Sequence, residues 1–443
     1  MKVARLPVDP GPSGWNLLLD DPAPATPLDG NQTADWLVIG AGFAGLAAAR
    51  RLSQNCPGDR IAILDAVRVG DGPAGRNSGF MIDLPHDLTS DDYGGALDHD
   101  ITQTEDNRMA IEFAGAMARE FGLPKEAFAR TGKVNAAATE QGDRHNRTYA
   151  AHLGRMGEAC RHLDADEMRD LTGIGYYRSG LFTPGAAMIQ PAQFVRGVAH
   201  GLRSNRITIH EMSPVVSLER HGDWIAKTAQ GKIAAPRVIL AVNGHLNSFG
   251  FAAGRLMHIF TYASMTRPLT PEEVGQLGRA TTWGVTPADP MGTTVRRISG
   301  SGGDRIVVRN RFTFDPSLEV DRQRIGQVGQ SHDAAFDARF PMLKDVSMDY
   351  RWGGRLCLST NGVQVVGEID DGLFSACCQN GLGTTRGTLA GIVAADMATG
   401  QTSPAVDRMR RSKAPRRLPP NPLAQLGANL RLWWGERRAG REL

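Results

Sequence analysis

Three glycine-bearing stretches hold the residues that can do chemistry. The first is Gly40-x-Gly42-x-x-Gly45, with Asp65 placed 20 residues after Gly45. That spacing suits the phosphates and ribose of a dinucleotide: Gly40 permits a tight turn, Gly42 lets a pyrophosphate reach the backbone, and Gly45 lets a helix pack on its strand. The second, GPAGRNSGFM (residues 72–81), sets one Arg-Asn pair, Arg76 and Asn77, among small residues. The third, QNGLGTTRG (379–387), again runs glycine into a helical pattern. Free N–H groups at a helix start attract negative charge.

The elements around these residues are readable. Trp36 to Ile39 is a short apolar run, hence a buried strand. Leu46 to Leu52 is rich in Ala and Leu, hence a helix. RIAILDA (60–66) is a second strand that ends at Asp65. The unit strand–turn–helix–strand is the context the glycine fingerprint requires. RVILAVNG (237–244) reads as a later parallel strand leaving through Asn243 and Gly244. From Phe249 to about Val346, short alternating runs such as HIFTYASMT (258–266) and DRIVVRNRF (304–312) predict an antiparallel sheet. Leu373 to Cys377 is a last strand, and Thr388 to Met397 a small-residue helix ended by Gly400.

A bound NAD accounts for Gly40 to Asp65 alone. FAD accounts for all three stretches, because its wide tricyclic ring needs small residues at close range and its reduced form gains from a helix N-terminus. Gly75, Ser78 and Gly79 are expected to keep backbone near the ring, and Arg76 and Asn77 to meet ring or phosphate oxygens. Gly381, Leu382, Gly383, Thr384 and Thr385 are expected beneath the ring's charged edge. Phe43, Ala44, Ala66, Val215, Asn243, Gly244 and Cys357 complete the expected cofactor contacts.

The expected fold class is α/β: a Rossmann-like FAD-binding domain with an inserted α+β substrate domain built on an antiparallel sheet. The expected boundaries are an N-terminal extension over 1–32, a discontinuous FAD-binding domain over 33–90, 185–248 and 347–402, a substrate domain over 91–184 and 249–346, and a basic tail over 403–443. The chain has 443 residues, enough for two domains. Its net charge of +3 gives no case for nucleic acid. The basic excess after Arg408 reads as a solvated tail in preference to a lipid or nucleic-acid patch, although LAQLGANLRLWWGE (423–436) is also readable as an apolar helix packed on the body. There is no apolar run of about 18 residues to span a membrane, no secretory pattern in the first 30 residues, and no His/Cys cluster with metal-ligand spacing. Five cysteines, sparse and odd in number, fit reduced thiols in a cytoplasm.

The chain resembles the superfamily of D-amino-acid oxidase, glycine oxidase and monomeric sarcosine oxidase, and within it the γ-glutamylputrescine-oxidase-like branch. The matching pieces are GWNLL (14–18), VIGAGFAGLAAARRL (38–52), AGRNSGF (74–80), VILAVNGH (238–245), SMTRPL (264–269), RWGGRLCLSTNGVQVVGE (351–368) and GLGTTRGTLAGIVAADMATG (381–400). The resemblance implies oxidation of a C–N bond in a small-molecule amine or amino acid, with O₂ or another acceptor taking the electrons. Many relatives carry Gly-His-Gly in the late turn; here it is Asn380-Gly381-Leu382-Gly383, so that branch's substrate does not carry over. Cys357 falls where sarcosine oxidases attach flavin covalently, but a buried strand thiol is the simpler reading. Vicinal Cys377 and Cys378 read as core.

Such chemistry needs no dedicated base. An arginine fork suits a substrate carboxylate, and Arg297 and Arg309 are the candidates. His258 and Tyr262 are candidates to line the ring face and assist O₂ reduction. The alternatives are an FAD-dependent dehydrogenase serving a quinone or carrier, an NAD-dependent dehydrogenase, and a non-catalytic flavin-binding protein.

Overall fold

The computed structural model describes residues 1–20, 23–85, 90, 93–420 and 422–443. The apolar run WLVI forms strand Trp36–Ile39, buried at every position. Helix Phe43–Asn55 and strand Ile61–Leu64 follow, and the two strands pair in parallel from Trp36↔Ile61 to Ile39↔Leu64. Strands Ile207–His210, Arg237–Leu240 and Leu373–Cys377 extend this parallel sheet, and Val365–Asp370 closes one edge antiparallel. Both faces of a parallel sheet are covered, so its strands read as unbroken apolar runs.

Small residues set the helix packing on this sheet. Helix Thr385–Ala398 lies against helix Phe43–Asn55 so closely that a Cβ on Gly391 would sit 2.1 Å from the Ala44 carbonyl oxygen. A four-stranded sheet flanks the first: a meander, Ser217–His221, Asp223–Lys227 and Gly231–Ala235, joined in parallel by Gly30–Thr33.

The predicted second sheet has eight strands. Its order is Met348–Leu358, Met257–Thr266, Arg305–Phe314, Thr294–Ile298, Trp283–Pro287, Lys133–Ala137, Ser179–Thr183 and Arg161–Leu163. It is antiparallel except where Trp283–Pro287 runs parallel to Lys133–Ala137. Helices Glu140–Arg155 and Arg322–Arg339 belong to the same region. Strand Met348–Leu358, expected on the FAD-binding side, pairs instead with Met257–Thr266 along its whole length.

The two termini differ most from expectation. The N-terminal extension packs into the body at Trp15. Trp15 is fully buried against Trp352, with ring centroids 6.2 Å apart. The C-terminus is not a solvated tail. Helix Leu423–Ala439 lays Ala428 and Leu432 on Ile259, Phe312 and Phe314, and Glu442 is buried beyond it.

Candidate active site

A long cavity runs between the parallel sheet and the eight-stranded sheet. At one end the turn Ile39 to Ala44 and the segment Leu64 to Arg68 line it. Gly40 has φ +107°, and a Cβ on Gly45 would sit 1.7 Å from the Gly40 carbonyl oxygen, so neither position has room for a larger residue without strain. Asp65 accepts from the Ala41 N–H at 2.7 Å and the Val67 N–H at 3.0 Å. Burial nonetheless pushes its carboxyl up to about 6. Val215 and Ser213 form the adjoining wall.

Toward the middle, Asn77 and Ser78 reach the cavity, but Gly75 and Gly79 do not. Their small size has another cause. A Cβ on Gly75 would lie 1.9 Å from the Gly70 carbonyl oxygen. Gly79, at φ +78°, would bring one within 1.9 Å of Arg296 Nη1 and 2.4 Å of the Ile189 carbonyl oxygen. The loop is therefore tight against protein, which corrects the expectation that glycine there serves the ring.

Arg76 lines the cavity with its fork already engaged. Nε donates to the Asp71 carbonyl at 2.7 Å, Nη1 to Gly353 at 3.3 Å and Nη2 to Gly11, and Asp9 lies 3.7 Å away. Asn77 closes its own loop: Nδ2 donates to the Ala74 carbonyl at 2.7 Å and Oδ1 accepts from the Gly79 N–H at 2.8 Å. The N-terminal motif SGWN braces this loop from beneath. Ser13 Oγ donates to the Gly75 carbonyl at 2.8 Å, Trp15 Nε1 to Asn77 at 2.8 Å, and Asn16 Nδ2 to Gly70 at 2.9 Å.

Helix Thr385–Ala398 opens into the same cavity through Gly381, Leu382, Gly383 and Thr384. Thr385 is buried, and its hydroxyl has no partner among the described residues. Neither this helix nor Phe43–Asn55 has a side-chain cap on its first turn. Two uncapped N-termini thus face one elongated space, a cradle for a molecule with negative charge at two separated points.

The far end belongs to the eight-stranded sheet. Thr261, Thr286, Thr294 and Arg309 line it, with Tyr93 and Phe312. Arg309 Nε donates to Thr261 Oγ1 at 3.1 Å, and its guanidinium lies 4.5 Å from the Phe312 ring centroid. Its two terminal nitrogens have no acceptor among the described residues. Burial lowers its pKa to about 10, so it remains a cation at neutral pH. Behind Thr286, buried Lys133 donates to its hydroxyl at 3.2 Å.

The other sheet-borne candidates lie elsewhere. Arg297 donates to the Gly278 and Ala280 carbonyls, both at 2.9 Å, and pairs with Asp304. Tyr262 packs with Phe260 and Ile325 and shares a 2.6 Å hydrogen bond with Thr313 Oγ1. His258 sits behind Gly244, where an added Cβ would be 3.0 Å from its Nδ1. The Asn247 amide nitrogen donates to the Ala252 and Phe251 carbonyls, which turns its oxygen toward His258 Nε2. Burial lowers the imidazole to about 4. None of the three lines the cavity, and their assigned roles are withdrawn.

Sequence reasoning missed residues that do line it. Arg5, Leu6, Pro7 and Asp9 come from the N-terminal segment, and His245 closes VILAVNGH. Asp9 also receives Arg355 Nη2 at 2.9 Å. His245, lowered to about 3 by burial, is neutral. The signal for His245 was present, since it follows Asn243 at the end of a parallel strand. Cys357 lines the cavity as a buried thiol whose pKa is raised by a hydrogen bond to Cys378 and by burial. Cys377 and Cys378 are free core thiols.

A family model described as FAD dependent oxidoreductase (DAO) matches residues 35–397. The chain belongs to this family. FAD is therefore its cofactor, and the uncapped helix ends, the glycine turn and Asp65 fit one. The chain is 24% identical over 417 residues to a probable oxidoreductase OrdL of Rhizobium meliloti (strain 1021), covering 92% of this chain and 93% of that one. It is 24% identical over 410 residues to the gamma-glutamylputrescine oxidoreductase of Escherichia coli (strain K12), covering 85% and 86%. The crystal structure of glycine oxidase from Geobacillus kaustophilus superposes with a TM-score of 0.69 at 17% identity, over 84% of this chain and 96% of that one. No helix among the described residues is long and apolar enough to cross a membrane.

Proposed function

We propose that this protein oxidises a C–N bond in a small amine or amino acid that carries a carboxylate, giving an imine that water hydrolyses, with the electrons passed on to O₂. The observation behind this reading is Arg309, a half-buried cation facing the cavity whose two terminal nitrogens have no acceptor among the described residues. Its fork matches the geometry of a carboxylate.

Gly40, Gly42, Phe43, Ala44 and Gly45 would hold the pyrophosphate at the first helix N-terminus. Asp65, Ala66 and Val215 would face the adenosine portion. The braced loop carrying Arg76, Asn77 and Ser78 and the turn Gly381–Thr385 would bound the ring, with Asn243 and Cys357 on the remaining wall and Gly244 behind them. When bound, the flavin supplies the two-electron acceptor. The protein positions the substrate: Arg309 orients its carboxylate, and Thr261, Thr286 and Thr294 offer hydroxyls at the same end. His245, beside Asn243 on the cavity wall, is neutral and adds no positive charge to it. The amine must arrive unprotonated, since no carboxylate among the described cavity residues at this end stands ready to take its proton. Five free cysteines support a reducing compartment such as cytoplasm. Cys357 is read as a neutral thiol, so denaturation is expected to release the flavin.

Anaerobic mixing with a panel of amines, N-methyl amino acids and D-amino acids tests the reaction. Bleaching of the flavin band by members that carry a carboxylate is expected, followed by fast return of colour in air. Slow return in air with rapid reduction of a dye would assign a dehydrogenase instead, and failure of every member to bleach the flavin would remove the proposal.

A further inference from the structure

Helix Leu423–Ala439 presents two opposite faces. Ala428, Leu432 and Ala439 turn toward the body, where Leu432 and Ala428 meet Phe312, Phe314 and Ile259, and Glu436 pairs with Arg311. Leu423, Leu426, Leu430, Trp433 and Trp434 are 62%, 64%, 66%, 54% and 57% exposed. At 3.6 residues per turn these five fall within an arc of about 100°, diametrically opposite the body-facing residues. The helix cannot roll to hide them, because burial of Ala439 and Glu442 fixes its far end. Five large apolar side chains in one exposed stripe mark an interaction surface rather than the scattered apolar exposure of an ordinary monomer.

The charge around the stripe names the partner. Residues 408–443 hold ten basic and two acidic side chains, a net +8, so the rest of the chain carries 40 against 45, or −5. Arg431, Arg437, Arg438 and Arg441 are exposed on or just past the helix, and Arg410, Arg411, Lys413, Arg416 and Arg417 are exposed on the approach to it. Arg437 stacks over Trp433 and Arg438 over Trp434, at 5.5 and 5.2 Å from the ring centroids. A stripe of leucines edged by Trp433 and Trp434, with Arg431 and Arg438 beside it and Arg437 at its C-terminal end, is the pattern of a helix lying in the plane of a bilayer interface, with its basic residues on anionic headgroups. We infer that this helix docks the enzyme on the surface of an anionic lipid bilayer. Phe312, beneath the helix, also lines the cavity. Docking thus places a single helix between the lipid surface and Phe312, on the wall that bears Arg309.

The test uses the full-length, FAD-loaded protein and sedimentation with vesicles of mixed phosphatidylglycerol and phosphatidylcholine, against phosphatidylcholine alone. Pelleting with the anionic vesicles, weakened by salt, is expected. The double variant Trp433→Ser/Trp434→Ser should partition about tenfold or more less tightly, at unchanged flavin content. If that variant is unstable, Arg437→Gln/Arg438→Gln serves, with an expected loss confined to anionic vesicles. Equal pelleting by wild type and variants, or none by the wild type, overturns the inference. So does a dimer that the tryptophan variant dissociates, or single-stranded RNA bound in preference to the vesicles.

Discussion

Thr384 Oγ1 donates to the carbonyl of Phe80 at 2.6 Å and ties together two turns 304 residues apart. One is the braced loop after the second strand; the other is the N-terminus of helix Thr385–Ala398. The bond fixes the distance between two walls of the cofactor cavity. Thr384→Val keeps the shape and removes the donor, leaving a buried carbonyl without it, at a cost of about 1–3 kcal/mol. A lower Tm and faster flavin release are expected, with Thr384→Ser restoring both. Flavin release unchanged in the valine variant would show that the tie does not hold the walls.

Gly75 separates two explanations of the same glycine. If ring contact were its reason, the FAD-free protein would tolerate alanine. The 1.9 Å approach to the Gly70 carbonyl oxygen says otherwise. Gly75→Ala should therefore destabilise the apoprotein by about 2–3 kcal/mol, as overpacking against backbone does. Urea unfolding of the flavin-free protein measures it, and an unchanged midpoint would return the residue to the cofactor.

What the sequence revealed and what it hid follow one division. Trp36–Ile39, the glycine turn, Phe43–Asn55 and Asp65 were legible because each is specified by its neighbours in the chain. The eight-stranded sheet was legible as alternation. Which face of that alternation meets the cavity was not. In Met257–Thr266 the cavity takes Thr261, whereas Phe260 and Tyr262 pack toward Ile325. In Thr294–Ile298 it takes Thr294, and Arg297 turns to the Gly278 and Ala280 carbonyls. A period of two names two faces and leaves the choice to tertiary packing. The brace from Ser13, Trp15 and Asn16 was hidden for a similar reason, since no local pattern marks contacts 54 to 62 residues away.

Buried imidazoles set the acid limit of stability. His245, His258 and His332 lie at about 3, 4 and 3, mainly through burial. The folded protein keeps them neutral while the unfolded chain protonates them near 6.5, so stability is full above that pH and falls as pH drops toward 4. At pH 5 each should have removed on the order of 1–2 kcal/mol. Asp65, raised to about 6, acts with opposite sign over pH 4–6, but one group does not offset three. Tm should therefore fall from pH 7 to pH 5, and His332→Gln should flatten that slope. An identical slope in the variant would remove His332 from the account.

Glu442 makes the C-terminus structural. Its Oε1 accepts from the Ala138 N–H at 2.9 Å, the Thr139 N–H at 2.9 Å and Thr139 Oγ1 at 2.8 Å, at the start of helix Glu140–Arg155. Its own carbonyl accepts from the Thr293 N–H at 2.7 Å and Arg339 Nη2 at 3.0 Å. Glu442→Ala leaves two backbone donors buried and should cost about 2–4 kcal/mol. Thermal unfolding checks it, and an unaltered Tm would mean that water replaces the carboxylate.

Arg309 decides what kind of molecule the cavity selects. Its Nε is anchored on Thr261, its flat face rests on Phe312, and its terminal nitrogens have no acceptor among the described residues. Removing the fork should matter only to substrates that use it. Arg309→Gln is expected to lower kcat/KM for carboxylate-bearing substrates by about 100-fold, consistent with losing charge-assisted hydrogen bonds, while flavin content stays at the wild-type level. Neutral amines of the same size should lose little. Arg309→Lys should recover part of the activity, because it restores the charge without the two-pronged geometry. An equal loss for neutral and carboxylate substrates would show that Arg309 supports the cavity wall and does not read the substrate.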